Sequence, residues 1–175
     1  MIKCNELYKS FNSKKVIKNV SFKVDDGKIT ALIGKNGAGK STLIGLIIGY
    51  YHLDAGSIER GSISVMPDAD NLYLHWTGYE FLKFMAKIKQ ADFKQALALA
   101  KELKIEKDLA KKIAGYSFGM KKKISFIQCA IGTYDNYIFD EPTSGVDVPS
   151  TLIMLQIIER LKKKRCRRII DVTQY

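Results

Sequence analysis

The segment Gly34–Ser41 combines the residue types that bind phosphate in proteins. It reads Gly-Lys-Asn-Gly-Ala-Gly-Lys-Ser, so glycines precede a lysine and a serine at a fixed spacing. In this pattern the glycines let backbone N–H groups close around phosphate oxygens, Lys40 reaches the terminal phosphates, and the Ser41 hydroxyl can bind Mg²⁺. The spacing therefore predicts a nucleotide-binding loop. Its predicted nucleotide contacts are Gly34, Asn36, Gly37, Ala38, Gly39, Lys40, Ser41 and Thr42.

The residues on either side of this loop favour the same interpretation. Ile29–Ile33 predicts a buried strand before the loop, and Thr42–Ile48 predicts a buried helix after it. Strand, loop and helix are the order that the motif requires. The start of such a helix directs free N–H groups and the positive end of the helix dipole toward an anion. The alternative, a glycine-rich turn that matches by chance, does not require these flanking elements.

A pair of acidic residues follows another apolar segment. Tyr137–Phe139 predicts a buried strand, and Asp140 and Glu141 come directly after it. In proteins with a phosphate-binding loop, an aspartate at such a strand end can hold Mg²⁺, and an adjacent carboxylate can orient or deprotonate an attacking water. The pair therefore predicts hydrolysis of a bound nucleotide, against the alternative of a solvated strand end.

Composition indicates a globular protein with one domain, or one domain and a small lobe. The chain has 175 residues, and 46% of them are hydrophobic, which is enough for a core. Its three cysteines form no Cys-x-x-Cys pair, which favours a reducing compartment over a disulfide framework. Met1–Ser10 is typical of neither a signal peptide nor an anchor, and no apolar run has the length of a membrane span. We therefore predict a soluble, cytosolic protein.

The chain is strongly basic. Its formal net charge is +11, and basic residues concentrate at Lys121–Lys123 and Lys162–Arg168. Such a balance is compatible with nucleic acid, with an anionic membrane surface, or with a solvated basic surface. Aromatic residues are not interleaved with the basic runs, as they are on a platform for single-stranded nucleic acid. We therefore expect no specific nucleic-acid partner.

The remaining strand pattern predicts an α/β fold with antiparallel strands near the N-terminus. Phe11 is predicted to lie on a polar loop, and Asp54–Gly56 is predicted to form a turn. Besides those named above, strands are predicted at residues 2–8, 20–24, 62–66 and 169–172.

Helix signals dominate the middle of the chain. Thr77 and Glu80 predict a capping box, and Asp92 predicts a second helix start. Ser117 predicts another helix start, where a Ser-x-Gly sequence is a second potential phosphate contact. A last helix is predicted from Pro149. The residues expected to face a core are Phe81, Leu82, Met85, Ile88, Leu99, Leu103, Ile105, Leu109, Ile113, Ile124, Ile127, Ile131, Leu152, Leu155, Ile158 and Leu161.

The order of these motifs resembles that of the nucleotide-binding subunit of ABC transporters. Gly34–Ser41 is similar to the Walker A motif of this family, and Tyr137–Asp140 is similar to its Walker B motif. Ser117–Lys121 looks like the signature sequence, and Ser144–Asp147 looks like the D-loop. The resemblance covers nearly the whole chain, and the joint order is more specific than any single motif.

The resemblance implies a role for individual residues. Glu141 corresponds to the carboxylate that acts on the hydrolytic water, and Phe11 to the aromatic residue that stacks on adenine. Mg²⁺ is expected between Ser41 and Asp140. Ser117 and the Gly119 N–H are expected to meet the γ-phosphate of an ATP molecule that a second subunit binds.

The resemblance also implies a fold and partners. The expected fold is α/β, a P-loop NTPase core with an antiparallel β subdomain and an inserted small helical subdomain. We expect one domain divided into residues 1–66, 67–116 and 117–175. Two ATP-binding subunits, identical or different, are expected to pack head to tail, with an integral-membrane permease as a further partner. This places the protein in the cytoplasm, peripheral at the inner face of the cell membrane, and the sequence at Tyr116–Lys121 favours export.

Three positions depart from the family pattern. Asp68 stands where the family has the Q-loop glutamine, and its carboxylate can still bind Mg²⁺ or position water. Phe118 replaces the first glycine of the signature sequence. Gln174 replaces the switch histidine, and since glutamine donates a hydrogen bond to the γ-phosphate without carrying charge, slow hydrolysis is expected. The predicted catalytic residues are Glu141, Lys40 and Gln174.

Two other functions stay open at this point. Gln174 and the short end of the chain favour a catalytically weak or silent regulatory subunit, and they are also compatible with a truncated copy. A non-transport ABC ATPase that acts on nucleic acid or the ribosome would use the basic surface, but those relatives generally carry two cassettes or a long coiled-coil insertion.

Overall fold

A computed structural model describes residues 1–66, 71–163 and 168–173. Within these ranges the chain contains strands, α-helices and short 3₁₀ turns, among them Glu106–Asp108 and Ile113–Gly115. The strands are β1 Ile2–Phe11, β2 Lys14–Val24, β3 Ile29–Ile33, β4 Ala55–Arg60, β5 Ile63–Val65, β6 Asn136–Asp140 and β7 Arg168–Thr173. The helices are α1 Lys40–Ile48, α2 Gly78–Ile88, α3 Phe93–Glu102, α4 Phe118–Ala130 and α5 Val148–Lys163. No helix in the described ranges has both the length and the apolar character of a membrane span.

The chain divides into two compact units. The first unit consists of Met1–Val65, Tyr134–Ile138 and the described residues of Lys162–Tyr175. The second unit consists of the described residues of Met66–Thr133 together with Phe139–Leu161. The division into 1–66, 67–116 and 117–175 stays a prediction.

The antiparallel sheet of the first unit has the strand order β2, β1, β4. Asn12 and Ser13 join β1 to β2, and their φ values of 44° and 66° suit a two-residue hairpin turn. Phe11 pairs with Lys14 across this turn. Phe11 is therefore the last residue of β1, and its predicted placement on a polar loop is wrong. The prediction failed because Asn-Ser is a weaker hairpin signal than Asn-Gly.

Strand β4 lies where the sequence predicts a turn. It begins at Ala55, which pairs with Tyr8 of β1, so the predicted turn at Asp54–Gly56 is wrong from its second residue onward. Only Ile58 of this strand is half-buried, and the other side chains are exposed. The alternation of apolar and polar residues that marks a strand is therefore missing. Backbone pairing with β1 holds this segment extended instead.

The second sheet of the first unit has the strand order β3, β7, β6, β5. β3 runs parallel to β7, and β5 runs parallel to β6. The strand predicted at Ile29–Ile33 is present, but its predicted burial is wrong, since Ile29 and Ile33 are 38% and 53% exposed. β3 is an edge of the described sheet, with β7 as its one described neighbour. Its side chains are less covered than Tyr137 and Ile138 of β6, which are fully buried.

Helix α1 packs its buried residues into the core of the first unit. The predicted helix is confirmed, and Leu43–Ile47 is buried along its length. Gly49 ends it, with a φ of 86° and N–H bonds to carbonyls of the last turn. Burial raises the pKa of the Cys4 thiol to about 11, which marks this cysteine as an unreactive packing residue. The core residues are Ile2, Cys4, Leu7, Ile17, Val24, Leu43, Ile44, Leu46, Ile47, Ile138 and Ile170.

Helices α2, α3 and α4 pack together in the second unit. The predicted capping box is confirmed: the Thr77 hydroxyl accepts the Glu80 N–H, and the Glu80 carboxylate accepts the Thr77 N–H. Most of the predicted core residues of this unit are buried or half-buried. In α5, however, Met154 and Ile157 are buried together with Ile158. The wrong core predictions are Ile88, Leu152 and Leu155, which are 58%, 57% and 43% exposed.

Candidate functional site

The phosphate-binding loop lies between β3 and α1, as the sequence predicts. Gly37 and Gly39 have φ values of 78° and 95°, in the left-handed region that favours glycine. Gly39 is the N-cap of α1, and its carbonyl accepts the Leu43 N–H at 2.8 Å. Lys40, Ser41 and Thr42 form the first turn of the helix.

The start of α1 is suited to an anion. Within the described residues no side chain caps this helix, and its first turn carries no acidic residue. The first N–H groups of a helix have no partner inside the helix, and together with the helix dipole they attract negative charge. A phosphate group therefore fits the residues that are present here.

The Lys40 side chain lies back over the loop. Its ammonium group donates hydrogen bonds to the carbonyl oxygens of Gly34, at 2.6 Å, and Lys35, at 3.1 Å. The Ala38 N–H also bonds to the Lys35 carbonyl, at 3.2 Å, which closes the loop. A positive charge is thus held beside free helix N–H groups, the combination that phosphate oxygens require.

Phe11 is placed by an aromatic neighbour that sequence reasoning missed. The Phe11 ring is 38% exposed and meets the Tyr51 ring edge to face, with centroids 5.1 Å apart. Tyr51 packs on α1, because a Cβ atom added to Gly45 would lie 2.5 Å from the Tyr51 ring. The Lys9 ammonium lies 5.3 Å from the centre of the Phe11 ring. Phe11 is therefore connected through Tyr51 to the helix that follows the phosphate-binding loop.

The predicted carboxylates are found in the second unit. Asp140 is the last residue of β6 and is half-buried, and Glu141 follows it directly. Glu141 has a φ of 46°, a left-handed conformation that is uncommon for a residue with a side chain.

The predicted signature residues begin helix α4. Ser117 is the exposed N-cap, and its hydroxyl accepts the Met120 N–H at 3.3 Å. Gly119 lies in the first turn, where an added Cβ atom would be 3.1 Å from the Gly145 carbonyl oxygen. The start of α4 therefore contacts the loop that follows Glu141.

An ion pair also joins α4 to this loop. The Lys123 ammonium lies 3.1 Å from the Asp147 carboxylate. Asp147 accepts hydrogen bonds from the Ser150 N–H, at 2.9 Å, and the Ser150 hydroxyl, at 2.8 Å. These Ser150 bonds, with a smaller contribution from Lys123, lower the pKa of Asp147 to about 2. Sequence reasoning missed the pairing because the two residues lie on separate elements.

The depressed pKa of Asp147 predicts a pH-dependent contribution to stability. Asp147→Asn is expected to lower the urea midpoint of unfolding at pH 7, because the charged acceptor of two hydrogen bonds is lost. The advantage of the wild type is fully present above an unfolded-state pKa of about 4. It declines as the pH falls toward about 2, where folded-state Asp147 is protonated. Urea midpoints of both proteins across this range check the expectation, which a pH-independent difference would contradict.

The site residues thus fall into two groups, one in each compact unit. Phe11 and the residues from Gly34 to Thr42 belong to the first unit, and Ser117, Gly119, Asp140 and Glu141 belong to the second. The predicted metal ligand Asp68 and the predicted catalytic residue Gln174 lie outside the described residues.

The chain is similar in sequence to a described protein family and to several known proteins. The family model described as ABC transporter matches residues 17–144. An uncharacterized ABC transporter ATP-binding protein of Methanocaldococcus jannaschii is 34% identical over 99% of this chain and 68% of its own length. The zinc import ATP-binding protein ZnuC of Yersinia pestis is 29% identical over 94% of this chain and 66% of its own. The Nod factor export ATP-binding protein I of Burkholderia thailandensis is 30% identical over 89% of this chain and 57% of its own.

A solved structure described as the ATP binding subunit of an ABC transporter has the same fold. It aligns with a TM-score of 0.90 and 28% identity, covering 99% of this chain and 79% of that chain. The α/β fold inferred from the order of motifs is therefore confirmed. The family match spans most of the sequence, and the archaeal relative aligns over nearly all of it. The chain therefore belongs to the ABC transporter family, among its ATP-binding proteins.

Proposed function

We propose that this chain binds ATP with Mg²⁺ and hydrolyses the β,γ bond to drive a membrane permease. The observation that carries the proposal is the start of α1, where uncapped helix N–H groups and the Lys40 ammonium converge on one loop. Relatives with ATP-binding names support the choice of nucleotide. The chain spans 68%, 66% and 57% of the three relatives compared above, so the activity of the whole protein belongs to this proposal.

We assign the metal to Ser41 and Asp140, with Asp68 as a further ligand. Mg²⁺ keeps several waters and binds phosphate oxygens, so it takes few ligands from the protein itself. When bound, Mg²⁺ neutralises charge on the phosphates.

The hydrolytic step is assigned to three residues. Glu141 orients the attacking water and accepts its proton, since a carboxylate at hydrogen-bonding distance can act as a general base. Lys40 and the loop N–H groups stabilise the charge that develops on the transferred phosphate. Gln174 donates a hydrogen bond to the γ-phosphate, as the residue in the switch position.

We further propose that ATP lies between two ATP-binding subunits, identical or different. Ser117 is exposed at the start of α4, and its hydroxyl can donate to a phosphate while accepting the Met120 N–H. Gly119 adds a backbone N–H in the first turn of the same helix. These two residues would contact the γ-phosphate bound by the partner subunit.

An aromatic surface on the second unit supports a permease partner. The Trp76 ring stacks on Tyr73 at 5.1 Å and meets Phe84 edge to face at 5.0 Å. A cavity of about 570 Å³ opens beside these rings, and its lining residues include Lys83, Lys87 and Glu80. Aromatic side chains beside two lysines suit a cytoplasmic segment that presents an apolar residue together with acidic ones. We assign this surface to the permease.

Phe84→Ser tests this assignment. Since exposed aromatic residues often dominate the free energy of an interface, we expect binding to vesicles that contain the permease to weaken about 10-fold or more. ATP affinity and basal hydrolysis should not change. Leu155→Ser is the matched control, because Leu155 is a 43% exposed apolar residue on α5. Wild-type binding by Phe84→Ser, measured by vesicle sedimentation, would contradict the assignment.

We propose export as the direction and the inner face of the cell membrane as the location. The direction rests on Tyr116–Lys121 alone. The relatives do not decide it, because they include both an import and an export protein. Right-side-out vesicles that contain the permease and enclose the chain and MgATP provide the test. ATP-dependent release of cargo is expected, and ATP-dependent uptake would overturn export.

A further inference from the structure

Lys122 is a buried lysine within a run of three. Its side chain is 5% exposed, whereas its neighbours in the run are half-buried. Lysine is among the residues least often buried, because its ammonium group needs hydrogen-bond acceptors when it leaves water. The sequence alone suggests a solvated basic run at Lys121–Lys123. The contacts of the Lys122 ammonium therefore require an explanation.

Those contacts lead to the proposed general base. The Lys122 ammonium donates a hydrogen bond to the backbone carbonyl of Glu141 at 3.2 Å. It also lies 5.6 Å from the centre of the Phe118 ring, within the range of a cation–π interaction. Glu141 is the residue with a φ of 46°, and such a conformation persists only where the surroundings fix it.

Phe118 is itself fixed by the loop that follows Glu141. A Cβ atom added to Gly145 would lie 2.5 Å from the Phe118 ring, so the ring packs directly against the backbone of Gly145. The ring then presents its face to the Lys122 ammonium. Gly145, Phe118, Lys122 and Glu141 form one continuous set of contacts between the start of α4 and the end of β6.

We propose that Lys122 is a positioning residue for hydrolysis. Its bond to the Glu141 carbonyl holds that residue in the left-handed conformation, which fixes the direction in which the Glu141 carboxylate leaves the backbone. The Phe118 ring confines the ammonium to this bond. This inference rests on the proposed function, because it assigns Glu141 to the attacking water. It also explains why an aromatic residue replaces glycine at position 118.

The test compares four forms of the 175-residue chain with MgATP: wild type, Lys122→Met, Lys122→Arg and Lys101→Met. Lys122→Met keeps the apolar stem and removes the donor, so kcat should fall about 10-fold or more while the Kd for ATP stays within about 2-fold. Lys122→Arg should recover most of the lost rate, since a guanidinium group also donates to a carbonyl. Lys101→Met, the control, removes an exposed lysine of α3 that has no role in the proposed site, and it should behave as wild type. A wild-type kcat in Lys122→Met would overturn the proposal.

A double variant separates positioning from general loss of structure. If Lys122 acts through Glu141, then adding Lys122→Met to Glu141→Gln should not lower the residual rate further. An equal loss in both backgrounds would overturn the proposal. Phe118→Leu, which leaves Lys122 in place, is a second variant in case Lys122→Met does not fold. It should lower kcat in the same direction, again without weakening ATP binding, and an unchanged kcat would count against the proposal.

A backbone measurement keeps this inference distinct from the proposed function. NMR couplings that report the φ angle of Glu141 should indicate a positive value in the wild type and lose it in Lys122→Met. An unchanged φ in the variant would overturn the positioning role, even if hydrolysis is normal. If the wild type binds ATP but releases no phosphate, the proposed function fails while the φ measurement still decides the role of Lys122.

Discussion

Lys40→Ala is expected to weaken ATP binding by about 100-fold or more, the largest effect that one substitution should have on affinity. The ammonium group is already held over the loop by the carbonyls of Gly34 and Lys35. Its removal takes away the one side-chain cation placed there by the motif, and charge-assisted bonds to phosphate are among the strongest in proteins. Competition against a fluorescent ATP analogue measures the change.

Lys35→Ala is the matched control for this prediction. Lys35 lies in the same loop, but its side chain is exposed and its backbone carbonyl makes the loop contacts. The control removes one positive charge without removing the predicted phosphate contact, so its affinity should stay close to that of the wild type. Equal losses in both variants would indicate a non-specific charge effect and contradict the role given to Lys40.

Glu141→Gln is expected to separate binding from hydrolysis. Glutamine keeps the size of the side chain but does not accept a proton from water. Phosphate release should therefore fall by about 10² to 10⁴, the usual contribution of a general base, while ATP affinity is retained. Rapid-quench measurement of a single turnover reports this step directly.

Glu59→Gln provides the comparison for Glu141→Gln. Glu59 is exposed on β4, and its substitution should leave phosphate release unchanged. If the wild type releases phosphate no faster than Glu141→Gln, the hydrolytic proposal fails. A regulatory subunit that binds ATP without cleaving it would then be the better description.

The parts of the site that lie in contiguous motifs could be predicted from the sequence. The loop at Gly34–Ser41 could be predicted because it depends only on local properties. These are the conformation of its glycines, the start of α1 and the position of Lys40. The same is true of Ser117 as a helix cap and of the capping box at Thr77. The buried strand before Asp140 was also predictable, because a short run of apolar residues is enough to indicate a buried strand.

Features that depend on distant pairing could not be predicted. β4 is held by its register with β1, and its own residues carry no strand pattern. The hairpin that places Phe11 on a strand depends on the left-handed conformations of Asn12 and Ser13. Tyr51 beneath Phe11 has no local signal that connects it to that residue.

Burial was the least predictable property. Ile33 precedes the phosphate-binding loop in an apolar run, yet it is 53% exposed because β3 is an edge of the described sheet. Lys122 is the opposite case. A run of lysines is expected to be exposed to solvent, but the middle lysine of this run is buried. In both cases the neighbours across the fold decide the outcome, and these neighbours are distant in sequence. The contacts of Lys122 with Glu141 and Phe118 likewise exist only in the folded chain.

Calorimetric titration of the 175-residue chain with ATP in the presence of Mg²⁺ tests the nucleotide site most directly. We expect saturable binding of one ATP for each chain, competed by ADP and lost in Lys40→Ala. Absence of binding, or binding that Lys40→Ala leaves unchanged, would contradict the assignment of Gly34–Ser41 as the nucleotide site.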